Sequence, residues 1–324
     1  MQTALLASEQ DTFNSDTELM QQFLYKPGFL AARIDQICTV LFAELTPDVT
    51  LPQAELMLLI DRRGAMSQID LARAAGNDKS TTAYIVSNLE KAGRMIRYSD
   101  AKDRRVLLAD LSDRARDEMT AIREHFARLQ VWLAQGDSAE AHQALISILQ
   151  NIARDGETAA PPWQRDPSEG APDLDDATSF LVRRLLQALQ AECIARTAGL
   201  NVTLRQFSLL FILRHRRSIT QGAFSRLFGL DPSTCSVIMR GLEKRGMIGW
   251  KRSQTDKRER IYQITELGQQ TFPEYYEQVR IAQRWIMRQN SQDDFALMVD
   301  QMRRIVRVHN AVLRYPGMVA ELIG

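Results

Sequence analysis

Between positions 29 and 45, Leu30, Ile34, Ile37, Leu41 and Phe42 recur at a spacing that places them on one face of a helix. Residues 53–61 form a compact apolar segment suited to a buried helix. A short helix is predicted over residues 67–75, ending at Gly76. Asp78 then stands where it can cap a helix running to Ala92, with Thr82, Ile85, Val86 and Leu89 on its buried stripe and Gly93 as its stop. Two helices joined this closely make a helix-turn-helix. Beyond it, Met95–Ser99 and residues 106–111 read as strands joined by the charged loop 100–105, a winged extension. Long amphipathic helices follow, at about 113–134 and 138–153.

The same order returns later in the chain. Helices are predicted near 179–197 and 204–215, a helix-turn-helix over 220–245, a wing over 247–265 and terminal helices to Leu313. An ungapped match at an offset of 153 aligns residues 49–119 with 202–272, and about 19 of those 71 positions are identical. Between the copies lies residues 155–176, rich in Pro, Gly and acidic residues and without periodicity, which reads as a linker. The predicted domains are therefore 1–154 and 177–324, with 155–176 between them.

Composition narrows the function classes. With 324 residues, 45% hydrophobic and 25% charged, the chain has the make-up of an ordinary soluble protein of about two domains. Its greasiest stretch, 29–45, is broken by Arg33, Asp35 and Glu44, so no membrane span is expected. The N-terminal decapeptide lacks the basic region of a secretory signal, and the widely spaced Cys38, Cys193 and Cys235 suit a reducing compartment, so a cytoplasmic location is expected. The four histidines lack metal-ligand spacing, and no phosphate-binding, dinucleotide-binding or nucleophile-elbow motif occurs. No catalytic residue, metal or cofactor is expected, and no enzyme. The overall charge of +1 conceals −5 over residues 1–150, −5 over 151–176 and +11 over 177–324. The basic half suits a polyanion or reflects a chance distribution of surface charge, whereas the acidic middle suits a solvated tether.

Four landmarks run in one order in both copies. They are Asp78-x-Ser80-Thr81, Leu89-Glu90-Lys91-x-Gly93, Asp103-x-Arg105 and Leu111-Ser112-Asp113, answered by Asp231-x-Ser233-Thr234, Leu242-Glu243-Lys244-x-Gly246, Asp256-x-Arg258 and Ile264-Thr265-Glu266-Leu267-Gly268. This combination resembles the MarR family of winged-helix transcription regulators over nearly the whole of each half. The resemblance implies a mainly α fold with small β wings: two winged helix-turn-helix domains plus long interface helices. Family members are usually homodimers with one winged helix per chain, so two copies here imply an intrachain pseudo-dimer that is monomeric in solution. A linker of about 22 residues has an average span near 26 Å and an effective concentration on the order of millimolar, which suits intramolecular pairing. The implied function is a sequence-specific, ligand-responsive repressor that binds double-stranded DNA at a pseudo-palindromic operator.

If the apolar stripe faces inward, Lys79, Ser80, Thr81, Ala83, Tyr84 and Ser87 face outward in the first copy, and Pro232, Ser233, Thr234, Ser236, Val237 and Arg240 in the second. Serine and threonine suit phosphates or bases, Arg240 suits guanine, and Tyr84 suits a thymine methyl. A merely solvated helix face is the alternative. In the wings, the resemblance implies that Arg105 and Arg258 reach the minor groove while Asp103 and Asp256 orient them; a surface ion pair is the other reading. Aligning Phe29-Leu30 with Phe180-Leu181 sets Arg33 opposite Arg184. The resemblance puts both near a pocket suited to an aromatic carboxylate effector, although arginine on an amphipathic helix also serves at its polar border. Trp132, Trp285, Tyr275 and Tyr276 read as core or interface, and Cys38 and Cys235 as buried side chains rather than oxidant sensors. A winged-helix interaction or scaffold protein with weak or no DNA binding is the alternative function.

Overall fold

The computed structural model describes residues 15–163, 174–197 and 202–323. In chain order the first copy forms α1 (Asp16–Phe23), α2 (Pro27–Leu45), α3 (Leu51–Arg63), β1 (Met66–Ser67), α4 (Gln68–Ala75), α5 (Lys79–Lys91), β2 (Met95–Ser99), β3 (Leu107–Leu111), α6 (Asp113–Leu133) and α7 (Ala139–Ala153). The second forms α8 (Thr178–Arg196), α9 (Leu204–His215), β4 (Ile219–Thr220), α10 (Gln221–Phe228), α11 (Pro232–Lys244), β5 (Ile248–Arg252), β6 (Arg260–Ile264), α12 (Glu266–Ile286), α13 (Gln292–His309) and α14 (Val319–Ile323). The fold is mainly helical with two small antiparallel sheets, as the periodicity predicts. Helix α1 and the two-residue strands β1 and β4 add to the predicted elements.

Local side-chain chemistry sets the helix ends. Ser67, Asp78, Ser112 and Ser138 each accept a backbone N–H three residues on and so satisfy a donor that the first helical turn leaves open. Thr220, Asp231, Thr265 and Ser291 do the same in the second copy. Gln53 and Gln206 reach back to the N–H of Thr50 and Thr203 at 2.9 and 3.1 Å, the return arm of a capping box. In each sheet the short strand and the wing strand flank a central one. Met66 pairs with Ala109 and Met95 with Leu111 across β3, while Ile219 pairs with Tyr262 and Ile248 with Ile264 across β6.

The chain forms two compact units, residues 34–185 and residues 1–33 with 186–324. These differ from the sequence halves because α2 and α8 are each divided between units. In the unit built on 186–324, the α1 stripe of Leu19, Met20 and Phe23 is buried. The Phe23 ring lies 5.5 Å from Phe211 and 5.0 Å from Phe228, and Phe29 lies 4.9 Å from Phe228. Edge-to-face pairs of this kind contribute about 0.5–1.5 kcal/mol each beyond area burial. Asp16 adds an ion pair to Arg216 at 2.9 Å.

In the other unit, Phe180, Leu181 and Val182 of α8 are fully buried, and Ser179 Oγ accepts from Gln130 Nε2 at 2.9 Å. Arg183 of the same helix makes a buried ion pair with Glu55 of α3. The described ends of the 155–176 segment alternate between exposed residues, such as Glu157 and Asp176, and packed ones. Ala160 is buried, Trp163 lies 5.7 Å from Phe180, and a short 3-10 helix at Leu174–Asp176 is held by Gln150, whose Nε2 donates to the Asp175 carbonyl at 2.8 Å. Apolar Ala160, Trp163 and Leu174 give the acidic stretch a hold that its average composition hides; its centre, 164–173, lies outside the described residues. Among the described residues no helix is long and apolar enough to cross a membrane.

Candidate nucleic-acid interface

Each copy places a short helix, a left-handed glycine and a capping aspartate in sequence. Helix α4 ends at Gly76 (φ 60°) and α10 at Gly229 (φ 67°), a conformation natural to glycine. Asp78 then accepts the Thr81 N–H at 2.8 Å and its hydroxyl at 2.7 Å, and Asp231 accepts both groups of Thr234. One further bridge fixes the angle between the two helices. Gln68 Nε2 donates to the Lys79 carbonyl at 3.3 Å and, at the same place in the repeat, Gln221 Nε2 donates to that of Pro232 at 2.8 Å.

The aspartate caps make a pH prediction. Hydrogen bonds from the Thr81 hydroxyl and N–H hold the Asp78 carboxyl below its ordinary range, and those from Ser233 and Thr234 hold Asp231 lower still. A carboxylate depressed by folding contributes stability above its unfolded pKa of about 3.9, and that contribution is lost as pH falls through the folded value. Asp78→Ala and Asp231→Ala should each lower unfolding stability by about 1 kcal/mol at neutral pH. In acid titrations the gap to the parent chain should narrow below about pH 4; a constant gap would show that the carboxylate charge is irrelevant.

Helices α5 and α11 bury the predicted stripe: Thr82, Ile85, Val86 and Leu89, answered by Cys235, Ile238, Met239 and Leu242. Lys79, Ser80, Thr81 and Tyr84 are exposed, and Ala83 and Ser87 are half-buried. In the second copy Pro232, Ser233, Val237 and Arg240 are exposed, with Thr234 and Ser236 half-buried. Tyr84 and Val237 occupy one repeat position and are 70% and 61% exposed, so an apolar contact group stands on both outer faces.

The wing loops close the same way in both copies. Asp103 Oδ1 accepts the Arg105 backbone N–H at 3.0 Å, and Asp256 Oδ1 that of Arg258 at 2.9 Å. The aspartate's observed bond therefore shapes the turn through the backbone, and Arg105 and Arg258 are both exposed. Glu90 and Glu243, identical at the repeat offset, tie α5 and α11 to the wings. Glu90 Oε1 accepts from Arg97 Nε at 2.7 Å, whereas Glu243 Oε1 accepts from the Trp250 indole at 2.8 Å. The repeat exposes this pair as identities, but only the fold shows what they hold.

Arg33 and Arg184 are 2% and 3% exposed, well inside the fold rather than at a polar border. Arg33 Nη2 donates to the Phe228 carbonyl at 2.8 Å, and Nη1 to those of Gly229 at 3.1 Å and Tyr315 at 3.3 Å. Arg184 Nη1 donates to Gly76 at 2.7 Å and Nη2 to Pro161 at 3.0 Å. Burial first, then nearby Arg205 and Arg183 respectively, lower both guanidinium pKa values to about 10, so both stay charged at neutral pH. Cys235 is buried, and burial pushes its thiol up to about 11. Among the described residues no cluster of three His, Cys, Asp or Glu side chains is arranged to hold a metal ion.

The MarR family model matches residues 49–107 and 202–259. An uncharacterized HTH-type transcriptional regulator of Bacillus subtilis (strain 168), YfiV, is 29% identical over 69 residues, which are 21% of this chain and 43% of that protein. The chain thus spans less than half the length of this curated relative. Among solved structures, the PcaV transcriptional regulator from Streptomyces coelicolor, determined with its natural ligand, matches with a TM-score of 0.39 and 23% identity over 42% of this chain and 96% of its own. RV1404 from Mycobacterium tuberculosis matches with a TM-score of 0.30 and 23% identity over 41% and 86%. One family match falls on each winged helix-turn-helix, so the chain is similar to the MarR family twice over, in tandem.

Proposed function

We propose that the chain is a DNA-binding transcription regulator, a ligand-responsive repressor that acts as a single-chain pseudo-dimer on a pseudo-palindromic operator. The observation that carries this reading is the doubled outer face: a capped helix with exposed polar and apolar groups beside an exposed wing arginine, in each copy. Lys79, Ser80, Thr81, Tyr84 and Ser87 meet one half-site, and Pro232, Ser233, Thr234, Ser236 and Arg240 the other. Arg105 and Arg258 reach the flanking minor groove from turns shaped by Asp103 and Asp256. Because the faces differ, the operator is asymmetric in detail. An aromatic carboxylate that engages Arg33 or Arg184 must displace backbone carbonyls, so ligand response would be coupled to the helix-turn-helix itself.

The test is a gel shift against the chain's own upstream DNA over a range of salt, because phosphate contacts impose a steep salt slope. A weak, salt-insensitive shift would favour the interaction-protein reading. The second wing, 251–260, carries five basic and two acidic residues within the +11 segment, whereas the first lies in a −5 segment. Arg258→Ala should therefore lower affinity more than Arg105→Ala, each flattening the salt slope by roughly one phosphate contact or less. Equal losses would show that local wing geometry outweighs the field of the segment.

A further inference from the structure

The two buried arginines belong to one arrangement, found twice. Each lies nearly two turns into a long helix, α2 or α8, four residues after an aligned Phe. Each gives its guanidinium to the glycine that closes the first helix of a helix-turn-helix, and to a carbonyl in the segment that follows the terminal helices, Tyr315 or Pro161. The pairing is crossed with respect to sequence. Arg33, in the first copy, holds Gly229 of the second; Arg184, in the second, holds Gly76 of the first. A single residue separates each glycine from the aspartate that caps the reading helix, Gly229 from Asp231 and Gly76 from Asp78. A planar cation against carbonyls at a helix C-terminus satisfies acceptors that the last turn leaves open and meets the negative end of the helix dipole.

We infer that Arg33 and Arg184 are crossed positioning residues, each setting the start of the reading helix in the copy to which it does not belong. The DNA consequence rests on the function proposed above; the structural consequence does not. A disturbance in the opening turns of α2 is transmitted to α11, and one in α8 to α5. The two reading helices are thereby addressed separately, each from the other half of the sequence.

Hydrogen exchange on the full chain tests this directly. The protected amides are those of Gly229 and Leu230, bonded to the Ser225 carbonyl, and those of Gly76 and Asn77, bonded to Arg73 and Ala72. Arg33→Ala should speed exchange at residues 229–231 by about tenfold or more and leave 76–78 unchanged, and Arg184→Ala should do the reverse, as expected for lost bonds to a charged donor. Arg33→Lys and Arg184→Lys keep the charge but cannot fork across several carbonyls, so they should give the same pattern with smaller amplitude; they decide the matter where an alanine variant does not fold. In footprints, Arg33→Ala should weaken protection at the half-site read by α11, and Arg184→Ala at the half-site read by α5. Equal loosening of both turns, loosening in the arginine's own copy, or no loosening would overturn the inference. If the parent chain binds no DNA, the proposed function falls while the exchange pattern still decides the crossing.

Discussion

Replacing Glu55 with alanine should cost about 3–5 kcal/mol of unfolding stability, the loss typical when one member of a buried ion pair is removed. The Glu55 side chain is 3% exposed and that of its partner Arg183 is 13% exposed. Burial raises the Glu55 carboxyl above its ordinary range while Arg183 pulls it down, so the pair stands by mutual compensation. Without the Glu55 carboxylate, the guanidinium loses its hydrogen-bonded counter-charge in a low-dielectric site and keeps only the weaker attraction of Asp35 to offset its lost hydration. Changing both members, Glu55→Met with Arg183→Leu, should recover most of the loss or exceed the parent, since apolar packing replaces a costly desolvated pair. Denaturant melts of the two single variants and the double variant check this. A loss below about 1 kcal/mol for Glu55→Ala would place the pair in the class of solvated surface bridges.

Gly229→Ala should cost about 3 kcal/mol, and more than Gly93→Ala. Both glycines have positive φ, 67° and 71°, so a side chain at either meets the left-handed backbone penalty of about 1–2 kcal/mol. Gly93 has open space where a Cβ would go. At Gly229 the same atom would meet the Arg33 guanidinium and, at 2.8 Å, the Tyr315 carbonyl, so the clamp must open. The difference between the two variants in thermal or denaturant unfolding isolates the displaced guanidinium. Equal losses would show that Arg33 shifts without penalty.

The parts of this architecture legible in the sequence are those held by bonds within a few residues. Asp78 with Thr81, Asp231 with Thr234 and the left-handed Gly76 and Gly229 are local chemistry, so helix ends and the helix-turn-helix followed from the residues themselves. The outer faces of α5 and α11 followed from the apolar stripe opposite them. Helix α1 did not: its Phe23 finds Phe211 and Phe228 almost two hundred residues on, and eight residues carry little periodicity alone. The same separation hides the arginine clamps, since nothing near Arg33 in sequence points to carbonyls at 228, 229 and 315. The wing aspartates were legible as a motif but not in their bonding, because a carboxylate two residues before an arginine can meet either its guanidinium or its backbone.

Although Glu90 and Glu243 are the same residue in the repeat, they hold different partners, and the difference makes one wing optically visible. Trp250 donates its indole N–H to Glu243, is 38% exposed, and lies beneath the Arg260 guanidinium at 4.0 Å. Its counterpart in the first copy is Arg97, which has no comparable fluorescence. Replacing Trp132, Trp163 and Trp285 with phenylalanine would leave Trp250 as the chain's one indole emitter, since the sequence holds four tryptophans. Its emission then reports the polarity and cation contacts at the second wing alone, so a change there can be followed apart from the first wing in an unlabelled protein.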